Sequence, residues 1–384
     1  MKGMDELIGL VEWVKRLESN IEDAVHSGGE DTVISRDFEI FFNQFLFFML
    51  QYPMKEYPVN LFHWLQLLKK PLRDWWPASA SFLDEEGISP NFIILDDEIG
   101  LSEEAEELLR EYKSYKEASA KVVRDVLIHC REESINRGID MQHVYTKFRL
   151  FLIENPLTNL DELELYCFEN DFDSFLSRSL ENCYEDIPES SMFKCQFCGW
   201  TLEEKTKNAF VCIKQQCRSS YDVNTLKQYK ITQSDQLRVK ESIQFSTVIP
   251  GLREIELKIR FEECGATVEL YPDLERLGDL RVSNAGEKKG SEKLLIDVKD
   301  YRNAKQLVKK LLADQVAGLI KSPIIAVPDD KANRRYLSFV NEYLIETGIT
   351  SCKVYSFKQV VRTYKEMSLS GAQSFNAKEG IHVH

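Results

Sequence analysis

The sequence predicts a multidomain α + α/β protein with a helical N-terminal region, a four-cysteine segment and a C-terminal αβββαβ domain with a mixed sheet. Three observations lead to this fold class. Apolar residues recur at helical spacing through the first half of the chain, four cysteines cluster within 23 residues, and strand and helix patterns alternate after Pro250. At 384 residues the chain is also too long for one ordinary hydrophobic core.

The N-terminal region, residues 1–187, is predicted to be an acidic, mainly helical partner or adaptor domain. Helical periodicity appears in four segments, at residues 4–25, 36–51, 59–76 and 102–138. Trp75 and Trp76 could belong to a partner-binding surface, but aromatic residues at helical spacing are more often buried in a core. We therefore expect both tryptophans in the core.

Charge divides the chain into two unequal halves. Residues 1–190 hold 18 Lys and Arg against 39 Asp and Glu, a balance of −21, whereas residues 191–384 hold 31 against 24, a balance of +7. The net charge of −14 argues against nucleic acid as a partner of the whole chain, but the basic half could still bind it. The acidic half is a solvated surface, a docking face for a basic partner, or a surface that repels DNA.

Three classes of protein find no support in the sequence. No apolar run approaches the roughly 18 residues of a membrane span, and the acidic, helical start does not resemble an export signal. We therefore expect a cytoplasmic protein with no membrane partner. The six histidines and the five cysteines outside the cluster form no pair typical of a catalytic nucleophile and its base, which disfavours nucleophilic catalysis.

Cysteine spacing predicts a zinc ribbon in residues 190–235. Cys195 and Cys198 form a C-x2-C pair, and after a spacer of thirteen residues Cys212 and Cys217 form a C-x4-C pair. Two close thiolate pairs joined by a hairpin suit tetrahedral zinc, and a site with four protein ligands is structural rather than catalytic. The alternative, a group of buried or disulfide-bonded cysteines, is disfavoured in a cytosolic chain.

The C-terminal region predicts eight elements in the order αβββαβαβ. They are a helix at residues 251–265, strands at 266–272, 278–283 and 293–302, a helix at 303–321, a strand at 322–328, a helix at 331–348 and a strand at 352–357. Elements in this order form a mixed sheet covered by helices. We assign residues 245–365 to this domain and residues 366–384 to a flexible tail.

Charged residues interrupt the apolar pattern of the second and third strands. Asp297 and Lys299 are two positions apart, so their side chains point to the same face of the third strand. Asp279 opens the second strand, and a hairpin between the two strands would bring the two aspartates together. Converging carboxylates favour a divalent cation such as Mg²⁺ or Mn²⁺, and the lysine could orient or deprotonate the attacking water. This arrangement suits phosphodiester hydrolysis.

These residues and this element order resemble the PD-(D/E)xK, or restriction-endonuclease-like, nuclease superfamily. The resemblance implies a catalytic site in which Asp279, Asp297 and an acidic residue of the first helix bind the metal, with Lys299 as the catalytic lysine. Spacing within the first helix favours Glu254 for the helix acid, with Glu256 as the alternative.

Two competing interpretations apply to this motif. The dipeptide Pro272-Asp273 also matches the loose spacing, but Asp273 falls in a predicted turn, whereas Asp279 opens an alternating strand pattern. A D-x-K triplet by itself can also be a surface ion pair on an edge strand. The apolar residues that flank Asp297 and the order of the elements favour the nuclease.

The order of the three regions is similar to that of the restriction-endonuclease-like proteins encoded beside prokaryotic PIWI-RE proteins, in islands thought to defend against phages and plasmids. This resemblance implies two protein partners, an Argonaute-like protein and a helicase, and it leaves a homodimer open. The predicted function is therefore a divalent-metal-dependent DNA endonuclease of a defence system.

The alternative function is a module that binds nucleic acid or a protein partner without cutting, using a nuclease-like fold and a zinc ribbon. Two carboxylates that face phosphate disfavour it, because they weaken binding unless a cation is present. The sequence does not distinguish DNA from RNA. The residues predicted to contact phosphates are Lys305, Lys309, Lys310, Arg334 and Arg335.

Overall fold

The computed structural model describes residues 7–15, 43, 45–47, 49–50, 57–58, 60–76, 88–89, 91–96, 100–116, 118–138, 140–189, 191–206, 209–214, 217, 229–232, 234–284, 293–301, 304–316, 318, 320 and 322–370. The chain forms two compact units. One comprises residues 1–116 and 202–229, and the other comprises residues 117–201 and 230–384. The predicted division into three domains, at residues 1–187, 190–235 and 245–365, stays a prediction.

Helices occur throughout the described chain. In chain order they are α1 (Leu61–Leu68), α2 (Leu72–Trp75), α3 (Glu103–Lys116), α4 (Ala118–Arg137), α5 (Gln142–Glu154), α6 (Leu160–Glu169), α7 (Ser174–Glu181), α8 (Ile249–Glu262), α9 (Ala304–Val316), α10 (Arg334–Glu346) and α11 (Phe357–Ser370). A helical turn at Glu241–Ile243 and a π-helical segment at Gln244–Val248 lead directly into α8. Within the described residues, no helix is both long and apolar enough to cross a membrane.

The strands are short. In chain order they are β1 (Leu95–Asp96), β2 (Gly100–Leu101), β3 (Leu157–Thr158), β4 (Tyr184–Asp186), β5 (Glu203–Thr206), β6 (Ala209–Val211), β7 (Leu237–Val239), β8 (Ala266–Leu270), β9 (Leu280–Asn284), β10 (Leu294–Val298), β11 (Ile324–Val327) and β12 (Lys353–Ser356). β1 pairs with β2, β5 pairs with β6, and β7 lies between β3 and β4. The strands β8 to β12 form a five-stranded sheet.

The first unit has an aromatic core. Trp64 is fully buried, and its ring centroid lies 4.6 Å from that of Trp13. Trp75 and Trp76 are buried in the same cluster, which confirms the prediction that they belong to the core. Much of the predicted helix at residues 36–51 lies outside the described residues.

The five-stranded sheet of the second unit has the strand order β12-β11-β10-β9-β8. β8, β9 and β10 are antiparallel neighbours, whereas β10, β11 and β12 are parallel neighbours. This confirms the predicted mixed sheet and the predicted hairpin, in which Leu280 of β9 pairs with Ile296 of β10. The observed order from α8 to β12 is the predicted αβββαβαβ.

Helices cover this sheet. α9 and α10 pack on it through an apolar cluster that includes Leu311, Val340 and Val327. α8 and α11 contact each other through Phe261 and Tyr364, whose ring centroids are 5.4 Å apart, and both helices also contact strands of the sheet. The parallel strands are thereby buried, which explains the uninterrupted apolar sequence of β11.

Helix α5 packs closely against α8, although the two helices are far apart in sequence. At Gly251 of α8, an added Cβ would overlap the side chain of Ile153 of α5. The missing side chain therefore permits the contact, and this contact brings residues of α5 to the helix that carries the predicted acid Glu254. The helices α4 to α7 agree with the predicted helical character of residues 1–187.

The last helix extends into the predicted tail. α11 continues through Ser370, so residues 366–370 are helical instead of flexible. Buried Val360 and Tyr364 attach the helix to the domain, because both lie on its inward side. The remaining tail residues, 371–384, lie outside the described residues.

Candidate active site and metal centre

The structure brings together the four residues predicted to form the catalytic site. Asp279 directly precedes β9, Asp297 lies in β10, Lys299 follows β10 and Glu254 lies on α8. The Nζ of Lys299 is 2.8 Å from Oδ1 of Asp297, as expected for residues two apart on one face. Asp279 interacts electrostatically with both Asp297 and Glu254. The three carboxylates and the ammonium group of Lys299 therefore influence one another electrostatically. Among the described residues, however, only the four cysteines predicted to bind zinc have ligand atoms that all lie within 4.8 Å of one another, so the three carboxylates are less tightly grouped.

The backbone around Asp279 fixes its position against β10. The Asp279 amide donates to the Ile296 carbonyl at 2.9 Å, and Asp279 Oδ2 accepts from the Val298 amide at 2.7 Å. Gly278 makes this approach possible: its φ is +103°, and an added Cβ would collide with Ser322 Oγ and lie 2.9 Å from the Ile296 oxygen. The glycine before Asp279 is thus required by the local geometry.

The acids of this site are crowded. Burial raises the pKa of Asp279 well above its ordinary value, and the nearby Asp297 and Glu254 raise it further. Burial also raises the pKa of Glu254, although Arg149 partly offsets the effect. A divalent cation would relieve this crowding, because it compensates carboxylate charges that are unfavourable next to one another.

Lys299 is held in its charged form. Burial by itself would lower the pKa of Lys299, but Asp297 and Asp279 offset this effect and raise the pKa above its ordinary value. A protonated lysine cannot accept a proton from water. In this arrangement Lys299 is suited to orient a water molecule or to compensate phosphate charge, rather than to act as the base.

Residues that the sequence analysis missed hold Glu254 in place. The hydroxyl of Tyr271 donates to Glu254 Oε2 at 2.6 Å, and Arg149 of α5 lies 3.4 Å from both carboxylate oxygens. Arg149 also contacts Glu275, which accepts a hydrogen bond from Tyr145. The only local signal was an arginine inside the apolar sequence of α5, and it gave no indication of its partner 105 positions away.

The alternative residues lie in other environments. Glu256, the alternative helix acid, forms ion pairs with Arg253 at 2.9 Å and Arg260 at 2.6 Å. Asp273, from the competing dipeptide, is exposed in a turn with φ of +52°, and its carboxylate lies 3.6 Å from Arg276. The geometry therefore favours Glu254 and Asp279 as members of the carboxylate group.

The basic residues predicted to contact phosphates lie on two helices. α9 carries the three lysines, and the first turn of α10 carries the two arginines. Both arginines are exposed. Lys310 forms an ion pair of 2.8 Å with Asp314, and Lys305 lies 6.0 Å from the ring centroid of Phe339. The residues are Lys305, Lys309, Lys310, Arg334 and Arg335.

The four cysteines predicted to bind zinc form a compact cluster. The sulfur atoms of Cys195, Cys198, Cys212 and Cys217 all lie within 4.8 Å of one another, and none of the four is in a disulfide bond. Zn–S bonds of about 2.3 Å are compatible with such spacing. The first three cysteines are buried and Cys217 is partly exposed. The donor set and its geometry fit one tetrahedral Zn²⁺.

Backbone groups support the ligands of this cluster. The amide of Phe197 lies 3.4 Å from Cys195 Sγ, and the amide of Lys214 lies 3.5 Å from Cys212 Sγ. Amide donors of this kind stabilise metal-bound thiolates. Gly199 follows the first pair with a φ of +72°, a conformation that glycine adopts without strain and that permits a tight turn after Cys198.

The order αβββαβαβ and the mixed sheet are those expected from the resemblance to restriction-endonuclease-like proteins. Residues 251–368 match a family model described as an REase associating with pPIWI_RE, and this match confirms the resemblance that the sequence indicated. The matched segment begins in α8 and ends in α11, so it includes the whole five-stranded sheet and all four site residues. No curated protein and no solved structure matches the chain.

Proposed function

We propose that the protein is a divalent-metal-dependent DNA endonuclease of a prokaryotic defence system against phages or plasmids. The observation that carries this proposal is the convergence of Glu254, Asp279 and Asp297 beside Lys299 on the sheet of a restriction-endonuclease-like domain. One buried and two half-buried carboxylates beside a lysine have the composition needed to bind a hard cation and a phosphate together.

The three acids would bind the metal, and hydrogen-bond donors orient two of them. Glu254, Asp279 and Asp297 would hold Mg²⁺ or Mn²⁺ through their oxygens, since both ions prefer carboxylate ligands. When bound, the cation supplies a Lewis acid that polarises the phosphate and makes water more acidic. Tyr271 orients Glu254, and the amide of Val298 orients Asp279.

Lys299 would act on the substrate side of the site. Its ammonium group, held beside Asp297 at 2.8 Å, can donate to a phosphate oxygen or to the attacking water. Negative charge grows on the phosphate as the bond to the attacking water forms, so a fixed positive charge stabilises the transition state more than the ground state. Lys299 thus contributes to the rate rather than to metal binding.

The charge distribution and the family match support the proposed substrate and the proposed partners. The positive balance of the second half of the chain and the exposed basic residues of α9 and α10 support DNA as the substrate. The description of the matched family supports association with an Argonaute-like pPIWI_RE protein. A helicase as the second partner is proposed from the resemblance alone. In this proposal the four-cysteine cluster holds a structural zinc ion and the protein acts in the cytoplasm.

Cleavage of supercoiled plasmid and linear DNA, with Mg²⁺, Mn²⁺ or EDTA, tests the proposal. We expect metal-dependent cleavage that falls by roughly 10²-fold or more in Asp297→Asn and in Lys299→Gln. Asp273→Asn is the matched control, because it removes an aspartate outside the carboxylate group. DNA binding with no cleavage under any metal would reject the nuclease and leave a binding module.

A further inference from the structure

A second site is suggested by a cavity of about 380 Å³ in the second unit. It lies among α4, α5, the π-helical segment before α8 and the turn that carries Glu275. Three arginines line it, namely Arg124 and Arg131 of α4 and Arg149 of α5. Its volume lies within the roughly 300–1,000 Å³ typical of small-molecule pockets. A polar cavity with three guanidinium groups needs an explanation.

The positive charge of the cavity is only partly compensated. Arg149 is balanced by Glu275 and Glu254, with which it forms ion pairs. Neither Arg124 nor Arg131 has a carboxylate partner among the residues that the structure describes. Glu275 also lines the cavity, but it is paired with Arg149, so Arg124 and Arg131 leave an excess of two positive charges in the lining. This excess favours an anionic ligand.

The guanidinium of Arg131 is held in place. Its Nε and Nη2 both donate to the carbonyl of Leu274, at 3.1 and 2.6 Å. This uses one edge of the group and leaves the donors of Nη1 unused in these bonds. Arg124 is exposed, so the cavity is accessible from solvent. One arginine is thus fixed and the other lies near the entrance.

Neutral donors and a small apolar surface complete the cavity. The hydroxyls of Ser246 and Thr247 lie on the π-helical segment, a kind of helix distortion that often occurs at functional sites. Leu127 provides apolar surface on another side, whereas Tyr145 lines the cavity but is almost fully buried. Guanidinium and hydroxyl donors suit phosphate oxygens, and an apolar side chain suits the organic part of a phosphate monoester.

We propose that this cavity binds a phosphate monoester, carried either by a free mononucleotide or by the 5′ end of a nucleic acid strand. A phosphate monoester has a charge of about −1.5 to −2 at pH 7, which two uncompensated arginines can neutralise. Its three terminal oxygens can accept from Arg124, Arg131 and the hydroxyl of Ser246 at once. This binding site does not depend on the proposed nuclease activity.

Calorimetric titration of the full chain with 5′-AMP in metal-free buffer tests the site. We expect AMP to bind, adenosine to bind at least about tenfold more weakly, and Arg124→Gln to weaken AMP binding about tenfold. Because Arg124 is exposed, its replacement leaves the fold intact, and Arg131→Gln should act in the same direction. Arg137→Gln, an exposed arginine on the same helix, is the matched control and should bind AMP normally.

Further titrations separate this site from the catalytic one and identify the source of the phosphate. AMP binding should persist in Lys299→Gln, because that lysine does not line the cavity. Competition by a 5′-phosphorylated oligonucleotide, but not by its 5′-hydroxyl form, assigns the ligand to a strand end, and failure of both to compete assigns it to a free nucleotide. Equal competition by the two oligonucleotides, unchanged binding in Arg124→Gln, or no AMP binding by the wild type would overturn the proposal.

Discussion

The hydroxyl of Tyr271 donates a 2.6 Å hydrogen bond to Oε2 of Glu254, and both side chains are buried. Tyr271 has a φ of +55°, an uncommon conformation for a residue other than glycine, at the point where β8 ends. The guanidinium of Arg149 lies 4.1 Å from the centroid of its ring and also contacts Glu254. Tyr271 and Arg149 together fix the carboxylate that is proposed to bind metal.

Replacing Tyr271 with phenylalanine should impair metal-dependent cleavage while leaving the fold largely intact. The change removes the donor that orients Glu254, and loss of such an outer contact typically lowers metal affinity or activity by about 10–100-fold. We expect the Mn²⁺ concentration for half-maximal cleavage to rise by about tenfold or more. Titration of cleavage with Mn²⁺ measures this change.

Tyr166→Phe provides the control for that variant. The Tyr166 hydroxyl donates to the Lys147 carbonyl at 3.0 Å, so its loss removes one tyrosine hydrogen bond elsewhere in the same unit. This variant should keep the wild-type Mn²⁺ dependence. If both variants shift the dependence equally, Tyr271 has a general structural role and does not position Glu254.

Asp279→Asn should stabilise the protein in the absence of metal. Because the folded state raises the pKa of Asp279, protonation favours folding, and the stability from this group is present at low pH and lost as the pH rises through the raised pKa. Asparagine remains neutral and can still accept from the Val298 amide. We expect a higher Tm than wild type at pH 8 in EDTA, with a difference that shrinks towards pH 4.

The same variant should respond weakly to metal. Saturating Mg²⁺ should raise the Tm of the wild type, since a cation that binds only the folded state stabilises it. Asp279→Asn lacks one of the proposed ligands, so its gain should be smaller. A variant less stable than wild type at pH 8 in EDTA would show that the carboxylates do not repel one another as described.

Gly278→Ala should destabilise the fold by about 2–4 kcal/mol, because it combines overpacking with an unfavourable backbone conformation. The added methyl group would collide with Ser322 Oγ and approach the Ile296 carbonyl. Gly318→Ala is the matched control: its φ is +66°, but no atom of the described residues lies within 4 Å of the added Cβ. Chemical denaturation should therefore show a smaller loss of about 1–2 kcal/mol for the control, which comes from the backbone conformation alone.

Purified protein should contain about one zinc ion per chain, as four thiolates form one closed tetrahedral site. The double variant Cys195→Ser/Cys198→Ser should lose the zinc and unfold at a lower temperature, because binding of a structural ion contributes to folding. Cys264→Ser is the control, since Cys264 lies outside the cluster. Full zinc occupancy in the double variant, measured by elemental analysis, would contradict the assignment.

Local patterns in the sequence were sufficient to predict the elements of the sheet domain. The pattern of apolar and polar residues in β9 and β10 indicated which side chains share a face of the sheet. The period of two placed Asp297 and Lys299 side by side on one face. Helix α11 was missed, although Phe357, Val360 and Tyr364 recur at intervals of three and four. This spacing is typical of a helix, so α11 could have been predicted from the sequence.

Long-range contacts at the site could not be predicted in this way. Arg149 and Glu254 are 105 positions apart, and the contact depends on the close packing of α5 on α8. Similarly, nothing near Tyr271 indicated that its hydroxyl would reach the first helix. Periodicity reports which face of an element is buried, but it does not identify the element that lies against it.

The basic side chains of α9 and α10 should contact the phosphates of DNA. Arg335 is exposed on α10 and has no carboxylate partner among the described residues, whereas Lys310 is already paired with Asp314 at 2.8 Å. Each lost phosphate contact should reduce the slope of log K against log salt concentration by about 1. We therefore expect Arg335→Gln to lower the slope by about 1 and Lys310→Gln to lower it less. Lys358→Gln, an exposed lysine on α11, is the control and should keep the wild-type slope in metal-free binding titrations. An equal slope for Arg335→Gln and wild type would remove Arg335 from the DNA contact surface.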